Sequence, residues 1–482
     1  MTLGPNWDQA SGLVHGPLIH WAQSRGAALA IQSASQTLTF AELHAVVTER
    51  AAALTGQQDP ATVLVDSSLP LLQRLVEFLG IIASGRCAAV ADPDWPAAVL
   101  HSVQAALPVK ACDTAPPTEL TPFYIGYTSG STGLPKGFKR HHRSWTESFR
   151  VCLQEFGPDA ATCILAPGRD SHSLFLFGML LGLWSGGGVI VQERFSAAAA
   201  LETLRSGLTP SLLTAPSQLI LMLELARHKS LAPIESVRLI LISGARWMRQ
   251  RTAELRALFP KARIIEFYGA SETSFIAWMD SDNSTPAAVV GRPFANVELQ
   301  IRQATEEANV GLIYVRSPML FMDYVGATDD HTAALRDGDW LSVRDLGTLD
   351  AQGRLCLAGR QNRMIVTQGK NLFAEELEAV LEAHPAIALA SVHGVEDARR
   401  GARVVAIIHW TDSSQAGLPD ALQLVAWCRQ GLEAFKAPKK FYLCTSWPRT
   451  AGGKTDHASL ERSLQAMTLP AALEPPCLQP LP

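Results

Sequence analysis

Tyr127-Thr128-Ser129-Gly130-Ser131-Thr132-Gly133-Leu134-Pro135-Lys136-Gly137 gathers three glycines, four Ser or Thr hydroxyls and one lysine into eleven residues. It follows the β-prone run Phe123-Tyr124-Ile125-Gly126, so it reads as a loop leaving a strand. Backbone N–H groups freed by glycine, with the hydroxyls of Thr128, Ser129, Ser131 and Thr132, suit phosphate oxygens, and Lys136 adds positive charge. A Walker A loop, G-x-x-x-x-G-K-[ST], is disfavoured, because no Gly-Lys pair stands at the required distance from Gly130 or Gly133.

Downstream, the apolar run Val237 to Ile242 reads as a buried strand ending in the small-residue turn Ser243-Gly244-Ala245-Arg246, where a flat ring can approach the backbone. A second strand, Ala262 to Phe267, leads into Tyr268-Gly269-Ala270-Ser271-Glu272-Thr273. Further on stand Gly311-Leu312-Ile313-Tyr314-Val315-Arg316-Ser317-Pro318 with Tyr324, then Trp340-Leu341-Ser342-Val343-Arg344-Asp345-Leu346-Gly347, then Gly359-Arg360-Gln361-Asn362-Arg363-Met364-Ile365. Near the end comes Pro448-Arg449-Thr450-Ala451-Gly452-Gly453-Lys454-Thr455. Gly453-Lys454-Thr455 also falls outside the Walker A pattern, whose first glycine would fall at Pro448.

In this order the stretches resemble the signatures of the AMP-forming adenylating superfamily, which holds acyl-CoA synthetases, adenylation domains and luciferases. The matches run from about residue 38 to residue 456. The resemblance implies roles for individual residues. Residues 129 to 136, Gly130 and Gly133 included, would hold the β,γ-phosphates of ATP. Gly244, Ala245 and Arg246 would meet adenine, with the Tyr268 ring near it and Gly269 and Ser271 by the phosphates. Glu272 would place Mg²⁺ on the triphosphate, a hard cation that takes oxygen ligands. Asp345 would accept from the two ribose hydroxyls, and Arg360 would contact ribose or phosphate. Val343 and Arg344 replace the family's usual Thr and Gly, which affects local backbone geometry and one hydroxyl contact. Asn362 would be the pivot of a hinge, and Lys454 would supply charge to the reacting oxygens. His142, at the start of a helix, reads as a capping or packing residue as readily as a chemical one.

The implied reaction has two halves: a carboxylate attacks Mg·ATP to give acyl-AMP and pyrophosphate, then a thiol takes the acyl group. The acceptor is CoA or the phosphopantetheine of a carrier protein. A non-catalytic nucleotide binder is the reading of another class, and Lys454 and Glu272 speak against it. His172 stands where relatives line the tunnel between ATP and the acid, although a lone His on an apolar face also suits a core. Ser173 and Phe177 would line the acid pocket. Ser173 stands where amino-acid-activating relatives carry an aspartate, unless a shifted alignment puts Asp170 there. An acyl or aryl acid is therefore the expected substrate.

The chain has 482 residues, 47% hydrophobic and 18% charged, enough for two or more domains with substantial cores. A net charge of −4 gives no electrostatic case for nucleic acid. The eight cysteines are scattered without C-x-x-C or metal-ligand spacing and read as free thiols of a reducing compartment. No basic and apolar leader opens the sequence, so a cytoplasmic protein is expected. Ser171 to Gln192 lacks Asp, Glu, Lys and Arg, but Gly186-Gly187-Gly188 interrupts it, which favours a helix, a turn and a buried strand over a membrane span. Short β-type runs alternate with amphipathic helices over residues 28 to 120, a rhythm of βα units. The expected fold is α/β: an N-terminal domain of βα-layered sheets over residues 1–358, a hinge at 359–363 and a smaller α+β domain over 364–482.

Overall fold

Leu239–Ile242 is buried at all four positions, as a strand covered on both faces must be. In the computed structural model it lies between Ser211–Thr214 and Arg263–Ala270, parallel to both. The structure describes residues 12–55, 60–108, 116–129, 135–302, 310–325, 334–367, 370–397, 401–411, 417–450, 453–467 and 478–481. They divide into two units, residues 1–285 with 290–299 and 315–343, and residues 286–289 with 300–314 and 344–482. The hairpin of Asp345–Leu349 and Leu355–Arg360 thus groups with the C-terminal part.

In the first unit the parallel sheet continues through Ile164–Ala166, Val189–Val191 and Leu29–Gln32, and the antiparallel strand Ser274–Asp280 pairs with Arg263–Ala270. Leu201, Leu204, Leu219, Met222, Leu255 and Leu258 bring three helices, Ala197–Arg205, Pro216–His228 and Thr252–Leu258, onto one core with Leu212, Ile240 and Ile242. The helix Ser173–Trp184 is buried from Phe175 onward on every side. That burial explains the uncharged stretch, since a helix apolar all round is a core helix when too short for a bilayer. Among the described residues no helix is long and apolar enough to cross a membrane.

A second sheet of this unit carries the strand that leads toward Gly130. Thr62–Leu64, Cys87–Ala89 and Pro122–Ser129 run parallel, and Pro135–His141 returns antiparallel beside the last of them. The chain therefore goes from one strand into a second, antiparallel one, where a Walker A loop would lead into a helix. Asp323–Tyr324 pairs with the far edge of Pro135–His141, Tyr324 opposite Phe138.

The second unit is α+β. Ile387–Asp397 and Gly401–Trp410 form a long antiparallel pair, and Lys440–Cys444 lies parallel to the latter after the helix Ala421–Gly431. Alternation along Gly401–Trp410 sends Val404, Ala406 and Ile408 into a core with Leu377, Leu381, Leu424 and Phe441. Val405 and Ile407 face a smaller one with Cys444, Leu460 and Leu464. All six described cysteines are free.

On the face of Ile387–Asp397 opposite Ala390 and Val392, Ser391 Oγ is 2.7 Å from both His393 Nε2 and His457 Nδ1. Burial, then the Arg363 charge, pushes His393 down to about 4, so the folded state keeps it neutral. The unfolded chain protonates it near pH 6.5. Its depressed pKa therefore stabilises the fold fully above about pH 6.5, and that contribution fades as pH falls toward the folded value, by on the order of 3 kcal/mol. Hydrogen exchange in Ile387–Asp397 is expected to speed up between pH 6.5 and 4.5 beyond the intrinsic trend. His393→Gln should weaken that dependence, with His457, pushed down to about 3 chiefly by burial, supplying the remainder.

Candidate active site

Arg263–Ala270 carries Tyr268 and Gly269 within the strand; pairing with Ser274–Asp280 extends it past Phe267, with a register shift between Tyr268 and Gly269. A Cβ on Gly269 would fall 1.9 Å from the Ser274 carbonyl oxygen, so the close return of the hairpin needs glycine there. Ser271 and Glu272 sit in the connecting turn, which Thr273 closes by donating its N–H to the Ala270 carbonyl at 3.2 Å. The Glu272 carbonyl accepts from Phe321 N at 2.7 Å. Its carboxylate accepts from the Tyr324 hydroxyl at 2.8 Å. Lys136 Nζ lies 3.8 Å from the centre of the same Tyr324 ring. Lys136 and the candidate metal carboxylate thus meet on one phenol.

Arg140, on the lysine's strand, belongs to none of the sequence signatures. It is 1% exposed. It donates to Ser144 Oγ at 3.1 Å, to the Ser271 carbonyl at 2.5 Å, to Ser274 Oγ at 2.5 Å and to the Met319 carbonyl at 2.6 Å. Burial pulls its pKa down to about 9 against the opposing pull of Glu272, and it stays charged at neutral pH. The available signal is strand alternation, which puts Arg140 on the buried face of Phe138.

The turn after Leu239–Ile242 is tied to the neighbouring strand by Ser243 Oγ, which donates to the Phe267 carbonyl at 2.8 Å. Gly244 takes φ +90°, open to a side chain only at a cost, and Leu174 lies beside it. Ala245 and Arg246 are exposed. This turn and Tyr268 stand at the carboxyl ends of adjacent parallel strands, where open α/β sheets bind ligands. Gly130, Ser131, Thr132 and Gly133 lie outside the described residues. Thr128 and Ser129 are the strand positions opposite Lys136 and Pro135.

Among the residues expected near the acid, the His172 carbonyl accepts from Phe175 and Leu176 N–H groups at the start of the helix Ser173–Trp184. Ser173 Oγ is 3.3 Å from the Tyr124 hydroxyl. Phe177 is buried against Trp145, Phe149 and Phe275, inside an aromatic core. Asp170 is 2% exposed and receives Arg74 through Nε and Nη2, at 2.9 Å for the latter. His142 opens the helix His142–Phe156, buried, and accepts the Val14 N–H through Nδ1 at 3.1 Å.

In the second unit Asp345 is 6% exposed and accepts from Arg360 Nε at 3.1 Å. Arg344 adopts φ +64° and its carbonyl accepts the Gln361 N–H, so the left-handed turn expected of glycine survives with a side chain in it. That conformation costs a non-glycine residue about 1 kcal/mol. Arg344→Gly is expected to stabilise the protein by about 0.5 kcal/mol after the added unfolded-state freedom is counted, read from the denaturation midpoint. Asn362 lies in the exposed turn Gln361–Arg363. Lys454 is exposed on a tight turn in which Thr450 N donates to the Lys454 carbonyl at 2.8 Å, closed by the Arg449–Thr455 bridge. The helix beyond it, His457–Ala466, is capped by Asp456.

A profile described as AMP-binding enzyme matches residues 61–325, and one described as AMP-binding enzyme C-terminal domain matches residues 376–454. The chain is 33% identical to an uncharacterized acyl–CoA ligase, YhfT, of Bacillus subtilis, over 92% of this chain and 97% of that protein. It is 30% identical to the 2-succinylbenzoate–CoA ligase of Arabidopsis thaliana, over 70% of this chain and 67% of that protein. Among solved structures, ATP-bound MatB from Rhodopseudomonas palustris superposes with a TM-score of 0.81 at 20% identity, covering 95% of this chain and all of that one (100%). The o-succinylbenzoate CoA synthetase MenE of Bacillus subtilis with its acyl-adenylate gives 0.77 at 23% identity, covering 96% and 99%.

Proposed function

Because the chain belongs to the AMP-binding enzyme family and is an AMP-forming acid–thiol ligase, we propose that it activates an acyl or aryl acid and passes it to CoA. The observation that carries the reading is the convergence of Lys136 and Glu272 on Tyr324, beside the strand that leads into the Gly/Ser/Thr loop. A carboxylate is a weak nucleophile for an anionic phosphorus, so the chain's task is to position the reactants and neutralise charge. Lys136 and the loop would hold the departing β,γ-phosphates. Glu272 offers the hard oxygen donor that a magnesium ion on ATP requires, and that ion would supply further neutralisation of the triphosphate. Asp345 would fix the ribose, and Lys454 would meet the reacting oxygens.

CoA as acceptor is supported by the activities for which the acyl–CoA and succinylbenzoate–CoA ligases are named. We place the functional hinge at residues 359–363, with Asn362 as its pivot. Asn362→Pro should therefore slow thioester formation from acyl-AMP more than acyl-AMP formation. Equal loss of both steps would point to misfolding. The whole reading is tested by ATP–pyrophosphate exchange over a panel of acids, with mass analysis of the product formed in the presence of CoA. An exchange signal without an acyl-CoA product would move the acceptor to a carrier protein, and absence of exchange with every acid would remove the reading.

A further inference from the structure

We propose that Arg140 and Tyr324 are positioning residues that hold the Glu272 carboxylate ready for the metal of the nucleotide, Arg140 through the backbone of its turn and Tyr324 through the carboxylate itself. The proposal rests on the reading of Glu272 as the metal-holding group.

A buried guanidinium is expensive unless its N–H groups are satisfied, and one bonded to neutral acceptors gains less than one paired with a carboxylate. Arg140 is such a group: its bonds go to the Ser271 and Met319 carbonyls and to the hydroxyls of Ser144 and Ser274. These acceptors lie on three separate segments, and two of them flank Glu272. The Ser271 carbonyl precedes the carboxylate-bearing residue, and Ser274 starts the returning strand. Met319 belongs to the segment whose Phe321 N–H bonds the Glu272 carbonyl. The same segment then supplies Tyr324, whose hydroxyl reaches Glu272 Oε1.

Tyr324 is itself registered on the strand of Arg140, opposite Phe138. One strand thus carries Lys136, anchors the turn of Glu272 through Arg140 and pairs with the phenol that orients the carboxylate. A metal ligand held in one orientation loses less rotamer freedom on binding, which is where orienting hydrogen bonds to ligands act.

The test is the affinity for ATP by isothermal titration, with Mg²⁺ and again with EDTA, for the wild type, Tyr324→Phe, Arg140→Met, Arg140→Lys and Glu272→Gln. AMP is titrated in parallel. Tyr324→Phe and Arg140→Met are expected to weaken MgATP by about 10-fold, the worth of one hydrogen bond to a charged group. Affinity for AMP and for metal-free ATP should stay within about twofold, and Arg140→Lys should recover part of the loss. If Glu272→Gln loses the metal-dependent gain while Tyr324→Phe and Arg140→Met keep it, the proposal fails and the role of Glu272 stands. Retention of that gain in Glu272→Gln overturns the role of Glu272 and the proposal together. Equal weakening of AMP, metal-free ATP and MgATP would mark general damage to the site and also overturn it. If Arg140→Met does not fold, Tyr324→Phe decides, because it removes one hydroxyl and leaves the ring under Lys136.

Discussion

Lys454→Ala is expected to slow acyl-adenylate formation by about 10²–10³-fold, the usual cost of deleting one charge contact made in the transition state. Lys454 stands exposed where the turn closes, its carbonyl taking the Thr450 N–H, beside the Arg449–Thr455 bridge and the bond from Trp447 Nε1 to Thr455 Oγ1 at 3.1 Å. Backbone bonds and the Trp447–Thr455 contact hold the turn, so the loss should appear mainly in the chemistry. Thioester formation from supplied acyl-AMP breaks the acyl–phosphate bond and expels AMP, with no attack at phosphorus and no pyrophosphate release, and should proceed at close to the wild-type rate. Single-turnover assays of the two steps separate these outcomes. Acyl-AMP formation at the wild-type rate would remove Lys454 from the site.

The parts of the site carried by contiguous residues are legible in the sequence. The Gly269 hairpin return and the Ser243-Gly244 turn each depend on local backbone freedom, and local sequence reports that directly. The βα rhythm of the first unit and the helix, glycine turn and strand of residues 173–191 are readable for the same reason. What escapes depends on partners far apart in the chain. Arg140 meets acceptors 131, 134 and 179 residues away, and nothing near it in the sequence shows that it turns inward except the alternation of one strand. Arg344 shows the limit of a residue-type rule: the left-handed turn persists without glycine because pairing of Asp345 with Arg360 and the Gln361 N–H bond determine the path of the chain. Propensity ends the second strand at Phe267, since glycine and serine weaken it, while the hairpin hydrogen bonds carry the strand on to Ala270.

Standard α-amino acids are expected to drive pyrophosphate exchange at least about 10²-fold less well than the best acyl or aryl acid, and the reason lies in Asp170. A zwitterionic substrate needs a carboxylate for its ammonium, since a buried, unpaired ammonium costs several kcal/mol. Asp170, next to the His172-Ser173 stretch, is the one acidic side chain a shifted alignment could offer, but its carboxylate already takes Arg74 through two nitrogens. Arg74 is 2% exposed and gives its remaining nitrogen to the Leu69 carbonyl at 2.6 Å and to Glu193 at 3.0 Å. An incoming ammonium would have to displace a buried guanidinium bound to Asp170 through two nitrogens, leaving it with Glu193 and the Leu69 carbonyl alone. The pair is therefore structural, and Arg74→Leu should cost roughly 3–5 kcal/mol by stranding Asp170, seen as a lowered denaturation midpoint. The double change Arg74→Leu with Asp170→Leu removes both charges and should recover much of that loss without changing which acids exchange. A signal from any proteinogenic amino acid above that of every acyl and aryl acid would overturn the substrate expectation, and disappearance of that signal in the double variant would show that Asp170 receives the ammonium.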